Sequence, residues 1–195
     1  VPVIKESGDG IWARLSNPYA SKSIGFYFYP EVGDEVLLGF LGNDPRFAVI
    51  VGSLYSKKNP PPNTPEKKNE LKSIVTKTKM KIAFDEKDKI ITIETPGGQK
   101  VTLDDKAKSI KLEDQNKNTI NLNDKGITID SGKDIILKAK GKVTISSVGN
   151  ATLDSKADVS ITGNNVKSKA KIALKAEGAA SAELKASGNV IVKGS

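Results

Sequence analysis

The sequence contains no cysteine and no histidine, and all ten of its aromatic residues lie at or before Phe84. The absence of cysteine excludes a disulfide framework, and the two absences together remove the usual zinc and haem ligands. Histidine is also the commonest general base near neutral pH. No serine lies in a nucleophile elbow. We therefore expect no cofactor, no metal and no catalytic residue, and predict that the protein is not an enzyme.

Long apolar runs are missing as well. No stretch approaches the length of a membrane span, and residues 1–4 do not begin a signal peptide, so nothing directs the chain through the general secretory route. Only 37% of the 195 residues are apolar, which is little for a large globular core. Because the aromatic residues stop at Phe84, we expect at least two structural regions of different composition.

Pairs of apolar residues, separated by one usually polar residue, recur about every eight positions from Ile127 to Val192. A period of two predicts a strand with one buried face, and the Gly, Asn and Asp residues between the pairs predict bends. Each unit is therefore one short strand and one bend. The predicted trimer-core residues are Ile127, Ile129, Ile135, Leu137, Val143, Ile145, Leu153, Val159, Ile161, Ile172, Leu174, Leu184, Val190 and Val192.

A unit of this kind cannot bury its apolar face alone, so stacked copies must share a core. Two or three inward residues per unit are too few for a wide single-chain solenoid, but they suit a narrow prism built by three chains. Pairing along such a shaft also covers the strand edges. The pattern predicts an all-β chain in which residues 74–195 form an intertwined trimeric β-helix, a triangular β-prism.

The units before Ile127 are looser, because they start nine or ten residues apart and have longer corners, which predicts a wider upper shaft. Residues 169–187 are rich in alanine and have high helix propensity, but their alternating pattern favours strands. Aspartates at the corners resemble the calcium ligands of some repeat proteins, yet turn chemistry explains their variable positions better. The looser units carry the pairs Ile82/Phe84, Ile91/Ile93, Val101/Leu103, Ile110/Leu112 and Ile120/Leu122.

Residues 1–57 are predicted to form a small antiparallel β unit. Strand patterns at residues 10–15, 25–30, 35–41 and 47–55 are separated by turns that contain Gly, Pro, Asn and Asp, which indicates a small barrel or sandwich. The pattern lacks one strand at its start, so we expect the sequence to begin inside the domain.

Residues 58–73 follow this unit and are rich in proline. Closely spaced prolines predict a stiff linker without helix or sheet. A ligand for a proline-binding partner domain is the alternative interpretation.

An ordered motif runs through the β unit. It consists of Pro-x-Val-Gly-Asp-Glu-Val, an Asn-Asp-Pro turn about ten residues later, then Val-x-Gly-Ser-Leu-Tyr and a proline-rich exit. This motif resembles the spike-protein family of contractile injection systems: the VgrG proteins of type VI secretion, their equivalents in extracellular contractile particles, and the central spikes of phage baseplates. The motif residues are Pro30, Val32, Gly33, Asp34, Val36, Asp44, Pro45, Gly52 and Tyr55.

The resemblance implies an oligonucleotide/oligosaccharide-binding (OB) fold barrel at the neck of a trimeric needle that sheath contraction drives through a target envelope. It also implies partners. These are hub, tube and baseplate proteins, docked through an N-terminal region that this sequence lacks, and a separate PAAR-like tip protein at the C-terminal end. Such a particle is assembled in the bacterial cytoplasm and delivered outside the cell.

The net charge of +8 is unevenly placed. Residues 1–65 are neutral overall, whereas from Lys138 onward there are ten lysines and four acids. A basic face suggests nucleic acid, but this segment has no aromatic residue and no arginine, so we expect a solvated lysine coat and no nucleic-acid partner. A lysine-rich distal end also favours transient contact with anionic membranes.

The sequence therefore predicts a structural spike that acts as a homotrimer. The alternative is a trimeric phage or cell-surface fibre that binds a glycan through the barrel or the shaft. Exposure of the aromatic side chains Trp12, Tyr19, Tyr27 and Tyr29 would favour that alternative, and their burial would favour a purely structural barrel. A hydrolase attached to a fibre would need a catalytic constellation that the sequence lacks.

Overall fold

The computed structural model describes residues 10–193, and its secondary structure is almost all β. Strands account for 30% of the residues and helical turns for 2%, which confirms the predicted all-β class. The chain divides into two units, residues 1–137 and residues 138–195. Within the described part of the chain, all of the regular secondary structure lies in the first unit.

The N-terminal region contains a three-stranded sheet with β5 in its centre and a separate two-stranded hairpin. Strand β1 runs parallel to β5, and β4 runs antiparallel to it. Leu37 pairs with Gly52 and Leu38 with Ile50, so Val51 is an extra residue that forms a β-bulge. The strands are β1 (Ala13–Leu15), β2 (Ala20–Ser21), β3 (Ile24–Gly25), β4 (Glu35–Phe40) and β5 (Ala48–Leu54).

The aromatic segment at residues 25–30, predicted to be a strand, is not one. Strand β3 ends at Gly25, and the Phe26 N–H, which donates to the Tyr19 carbonyl at 3.0 Å, makes the last backbone bond of this hairpin. Residues 26–29 are exposed and pair with no neighbouring strand in the described part of the chain. High β-propensity does not by itself form a ladder, because a strand also needs a partner. The predicted gap at the start of the domain falls before residue 10, outside the described residues.

The second sheet is a seven-stranded antiparallel meander in which every strand pairs with its neighbours in the sequence. Its first strand begins at Leu71, three residues inside the segment 58–73 that was predicted to be a linker. These hydrogen bonds run within one chain, whereas the prediction placed shaft pairing between chains. The strands are β6 (Leu71–Val75), β7 (Lys81–Asp85), β8 (Ile90–Glu94), β9 (Lys100–Asp104), β10 (Ser109–Glu113), β11 (Thr119–Asn123) and β12 (Gly126–Asp130).

A hairpin repeat of 19 residues underlies this meander. Strands β6, β8 and β10 start at residues 71, 90 and 109, and strands β7, β9 and β11 start at residues 81, 100 and 119. The turns repeat with the same period, because Lys79, Gly98 and Lys117 all have positive φ angles, between 66° and 91°. The alternating steps of nine and ten residues noted in the sequence are thus the two halves of one hairpin unit.

Residues 138–193, which we call the distal unit, contain no helix and no strand, and all of their side chains are exposed. Their hydrogen bonds are local, such as the Ser155 hydroxyl with the Asp158 carbonyl at 3.4 Å. The alanine-rich residues 169–187 form neither the helix that their propensity suggests nor a strand paired within the chain. Within a single chain, the backbone of the distal unit therefore forms no ladder of strand hydrogen bonds.

Candidate trimer interface

Two rows of apolar side chains cross one face of the seven-stranded sheet. Residues of a strand that are two apart point to the same face, and the strand register aligns these positions across the sheet. The first row consists of Ile74, Ile82, Ile93, Val101, Leu112, Ile120 and Ile129. The second row consists of Phe84, Ile91, Leu103, Ile110, Leu122 and Ile127. We call these thirteen residues the apolar face.

The apolar face is uncovered in the single chain. Its exposed fractions run from 36% at Ile82 to 71% at Ile127, with only Val101 and Leu122 below that range. Ala48 is the only buried apolar residue in the described part of the chain, so the sheet has no core of its own. Covering the remaining area would gain about 1 kcal/mol per side chain, or on the order of 10 kcal/mol per chain. That is comparable to the whole stability of a typical domain.

The opposite face of the sheet is polar and carries ion pairs. Lys81 Nζ lies 3.3 Å from Glu94 Oε1 on the adjacent strand. Glu113 accepts hydrogen bonds from Lys111 and from Lys117, the latter at 3.0 Å, and the two hydrogen bonds together with the ammonium charges lower the pKa of its carboxyl to about 2. One face is thus suited to water and the other is not, which is the pattern of a sheet with one covered face.

The structure places the predicted core residues in two settings. Ile127 and Ile129 lie in strand β12 and belong to the apolar face, opposite Leu122 and Ile120. The other twelve, from Ile135 to Val192, lie in no strand, and their exposed fractions range from 49% at Val190 to 100% at Ile172. A single chain does not bring these twelve together, and their place in a trimer core stays a prediction.

Sequence reasoning did not assign a core to the eleven residues of the apolar face that precede Ile127. The signal was present, because the alternating apolar pattern of each strand marks the same face. Ten of the eleven were named as apolar pairs of the looser upper shaft, but they were not included among the predicted trimer-core residues because their steps of nine and ten residues appeared irregular.

The motif at Pro30 to Val36 forms a tight turn. The Asp34 N–H donates to the Glu31 carbonyl at 3.0 Å, and the Glu31 N–H donates to Asp34 Oδ2 at 2.8 Å. Gly33 has φ = +100°, a conformation that L side chains rarely adopt. Pro30 and Val36 are half-buried, and Val32 projects fully into solvent. The motif here encodes a turn geometry.

The second part of the motif is also a turn. The Phe47 N–H donates to the Asp44 carbonyl at 3.0 Å, with Pro45 between them. Arg46 binds the Asp44 carboxylate through Nε and a terminal nitrogen, and this pairing lowers the pKa of Asp44. Gly52 adjoins the bulge, and the ring of Tyr55 is 70% exposed.

Two polar contacts join the N-terminal region to the start of the meander. Asn59 Nδ2 donates to the Gly33 carbonyl at 3.3 Å, and Lys77 Nζ donates to Glu31 Oε2 at 2.8 Å. The carboxylate of Glu31 raises the pKa of Lys77. The turn that carries the family motif is thus also the contact point for the proline-rich segment and the first hairpin.

The four aromatic residues named for a glycan surface are exposed in the single chain. Their exposed fractions are 97% for Trp12, 53% for Tyr19, 84% for Tyr27 and 63% for Tyr29. The rings of Tyr27 and Tyr29 lie 5.0 Å apart. This exposure favours the glycan alternative, but it does not decide it, because the apolar face of the sheet is uncovered in the same way.

Two further features are absent from the described part of the chain. Residues 10–193 contain no group of three or more acidic side chains placed to hold a metal ion. None of the helical turns in that range has the length and apolar character of a membrane span.

Two family models match the chain. One, described as the type VI secretion system/phage-baseplate injector OB domain, matches residues 1–55. The other, described as the phage baseplate V C-terminal trimerisation domain, matches residues 90–167. Together they cover more than half of the chain, and the second extends from strand β8 into the region without strands. The predicted resemblance is confirmed, and the trimerisation match supports a homotrimer.

Curated relatives agree with these matches over a short stretch. The chain is 40% identical over 60 residues to the actin cross-linking toxin VgrG1 of Vibrio cholerae, which is 30% of this chain and 6% of the relative. It is 40% identical over 48 residues to the type VI secretion system spike protein VgrG5 of Pseudomonas aeruginosa, which is 25% of this chain and 6% of the relative. The chain thus aligns with only a small part of either relative's length.

Proposed function

We propose that the chain is a spike protein of the kind found in type VI secretion systems and phage baseplates, and that it forms a rigid homotrimeric needle that punctures a target envelope. The apolar face of β6–β12 is the observation that carries this proposal. A face of thirteen apolar side chains in a sheet without its own core needs a cover, and two further copies of the same chain supply one.

The two units contribute differently to this needle. In residues 71–130 each chain closes its own backbone hydrogen bonds, so the three sheets meet through side chains of the apolar face. In residues 138–193 the chain has no ladder of its own, so its strands form only by pairing with the other two chains. The predicted core residues from Ile135 to Val192 then fill the narrow lower prism.

The mechanical role needs no reacting group. Axial load along the needle is spread over many backbone hydrogen bonds and over the packed apolar face, each of which is weak singly. A proposed PAAR-like protein caps the distal end, and hub, tube and baseplate proteins hold the other. The needle is assembled in the bacterial cytoplasm and leaves the cell with the contractile particle. The toxin activity in the name of the Vibrio relative belongs to that protein.

A second candidate function is supported by the exposed aromatic residues. A trimeric fibre that binds a glycan would use a platform of rings such as Tyr27 and Tyr29. Soluble glycans that change the fluorescence of Trp12 or of these tyrosines in the assembled trimer would favour this function. Burial of the same rings in the trimer would exclude the glycan-binding function.

The experiment that tests the proposal is the molar mass in solution, measured by light scattering at low concentration, before and after brief heating in detergent. The proposal predicts three times the chain mass of 20.8 kDa, and a trimer that persists in detergent. A monomer whose circular dichroism shows a folded β protein would overturn the proposal, because the apolar face would then need no second chain to cover it.

A further inference from the structure

Strand β6 is an edge of the seven-stranded sheet, because it pairs only with β7. At one end of this pair the Glu86 N–H donates to the Glu70 carbonyl at 2.8 Å, and at the other the Thr76 N–H donates to the Met80 carbonyl at 2.9 Å. Such bonds recur at every second residue of an antiparallel pair, so the even-numbered residues of β6 bond to β7. The backbone groups that point away from the sheet belong to Leu71, Ser73 and Val75.

This outer edge of β6 is exposed to strand addition. Within the described part of the chain, no further strand pairs with it. A row of outward N–H and C=O groups is a template on which a strand of another chain can add, and the half-exposed side chains of Leu71 and Ile74 would add apolar contact. Natural sheets protect such edges with charges, with prolines or with a covering loop.

Residues 58–70, which we call the strap, run beside this edge. A cleft of about 210 Å³ lies between them, lined on one side by strap residues such as Pro61 and Pro65 and on the other by Leu71 and Ser73. Prolines occupy four of the six positions from 60 to 65. Because proline fixes φ and has no N–H, the strap is extended but cannot form a continuous ladder with β6. It therefore covers the edge without enlarging the sheet.

Two side-chain hydrogen bonds fasten the strap. Asn63 Nδ2 donates to Ser73 Oγ at 2.8 Å, at the middle of β6. Asn59 Nδ2 donates to the Gly33 carbonyl at 3.3 Å, in the turn that carries the family motif. Every second residue from Asn59 to Asn63 is half-buried, and the prolines between them are exposed. The strap thus turns one side toward the protein and is held at both the N-terminal region and the edge strand.

We propose that the strap guards the outer edge of β6 and so prevents a second copy of the protein from adding its own β6 strand there. The blocked partner is a second copy, because two identical edges can pair antiparallel about a twofold axis without any other element. The inference does not rest on the proposed needle, since the outward groups and the strap belong to one chain. Association is therefore counted in multiples of the mass of the unchanged protein, whatever that mass is.

The test compares the solution mass and the trypsin cleavage of variants of the full chain. Asn59→Ala/Asn63→Ala removes both fastening hydrogen bonds, and neither residue lies in a strand. The matched control is Thr64→Ala, which truncates an exposed side chain of the same strap. A third variant adds Ser73→Pro to the double substitution. This proline removes an outward N–H from the edge and leaves the hydrogen bonds to β7 in place.

We expect the double variant to form species of twice the mass of the unchanged protein or larger as its concentration rises in light scattering. Cleavage after Lys67 and Lys68, both in the strap, should be at least about tenfold faster, because each lost hydrogen bond lowers the closed population several-fold. Thr64→Ala should lie within about twofold of the unchanged protein in cleavage rate and should keep its mass. Ser73→Pro should restore the original mass while cleavage stays fast, because the strap is still released but the edge no longer pairs.

An unchanged cleavage rate in the double variant would overturn the inference, because these contacts would then not hold the strap. Faster cleavage without a rise in mass, equal changes in Thr64→Ala, or larger species that persist with Ser73→Pro would each overturn it as well. So would a double variant whose circular dichroism has lost the strand signal, because the two asparagines would then support the fold and not guard an edge. The mass of the unchanged protein tests the needle separately.

Discussion

Residues 71–130 and residues 138–193 share one sequence pattern and differ in structure. Both alternate apolar and polar residues, yet the first segment forms seven paired strands and the second forms none. The difference lies in the corners. Long turns with residues at positive φ, such as Lys79 and Lys117, reverse the chain so that each strand meets the next. The distal bends lack that geometry, and we propose that the distal segment forms strands by pairing with other chains.

An alternating apolar pattern can thus have two structural roles. In the upper segment the backbone is closed within the chain and only the apolar face needs the trimer. In the distal segment both the backbone and the side chains need it. In the proposed needle, assembly is the condition for packing in the first case and the condition for any secondary structure in the second.

The largest effect is expected from a charge placed on the apolar face. Leu103 lies in the central strand β9 and faces the proposed interface, whereas its neighbour Thr102 lies on the polar face. Leu103→Asp would bury an unpaired carboxylate in each chain, at a cost of several kcal/mol per chain. We expect this variant to be monomeric or aggregated in light scattering, and Thr102→Asp to remain trimeric. Trimeric Leu103→Asp would show that this face is not the interface.

A smaller effect is expected where a turn requires glycine. Gly126 begins strand β12 with φ = +119°, and an added Cβ would meet no other atom there, so the cost of Gly126→Ala is conformational and about 1–2 kcal/mol. Gly149, in the distal unit, has no such backbone angle and has open space around it. Gly149→Ala should change the free energy of unfolding by less than about 0.5 kcal/mol. If chemical denaturation shows that Gly126→Ala and Gly149→Ala lose the same free energy of unfolding, the upper turns and the distal bends do not differ in their need for glycine.

The smallest effect is expected in the dependence of stability on acidic pH, through the ion-paired carboxylate of Glu113. The pKa of Glu113 is lowered from 4.5 to about 2, so its pairing stabilises the fold above the ordinary pKa and this contribution is lost as the pH falls from about 4.5 to about 2. Glu113→Gln should flatten the dependence of the thermal midpoint on pH across that window. An unaltered slope in Glu113→Gln would mean that the pairing with Lys111 and Lys117 does not persist in solution.

Much of the fold could be predicted from alternation and turn chemistry. The pairs Ile82/Phe84 to Ile120/Leu122 all fall in strands, and the turns at Gly33 and Asp44 form where the motif indicated. The pairing of strands could not be predicted, because the same alternation serves hairpins within a chain and strands between chains. The aromatic segment at residues 26–29 failed as a strand for the same reason, since propensity does not supply a partner. Within the proposed interface, the apolar residues before Ile127 were predicted as shaft pairs but not as trimer core, because the repeat spans two strands.

The most direct test of this account is hydrogen exchange of the backbone amides in the assembled protein. Residues 138–193 have no ladder within one chain, so any protection there must come from other chains. The account predicts that their strand amides exchange at least about 100-fold more slowly than in an unstructured peptide, and that this protection is lost when the trimer dissociates. Exchange at peptide rates in an intact trimer would contradict it, because the distal unit would then form no shaft.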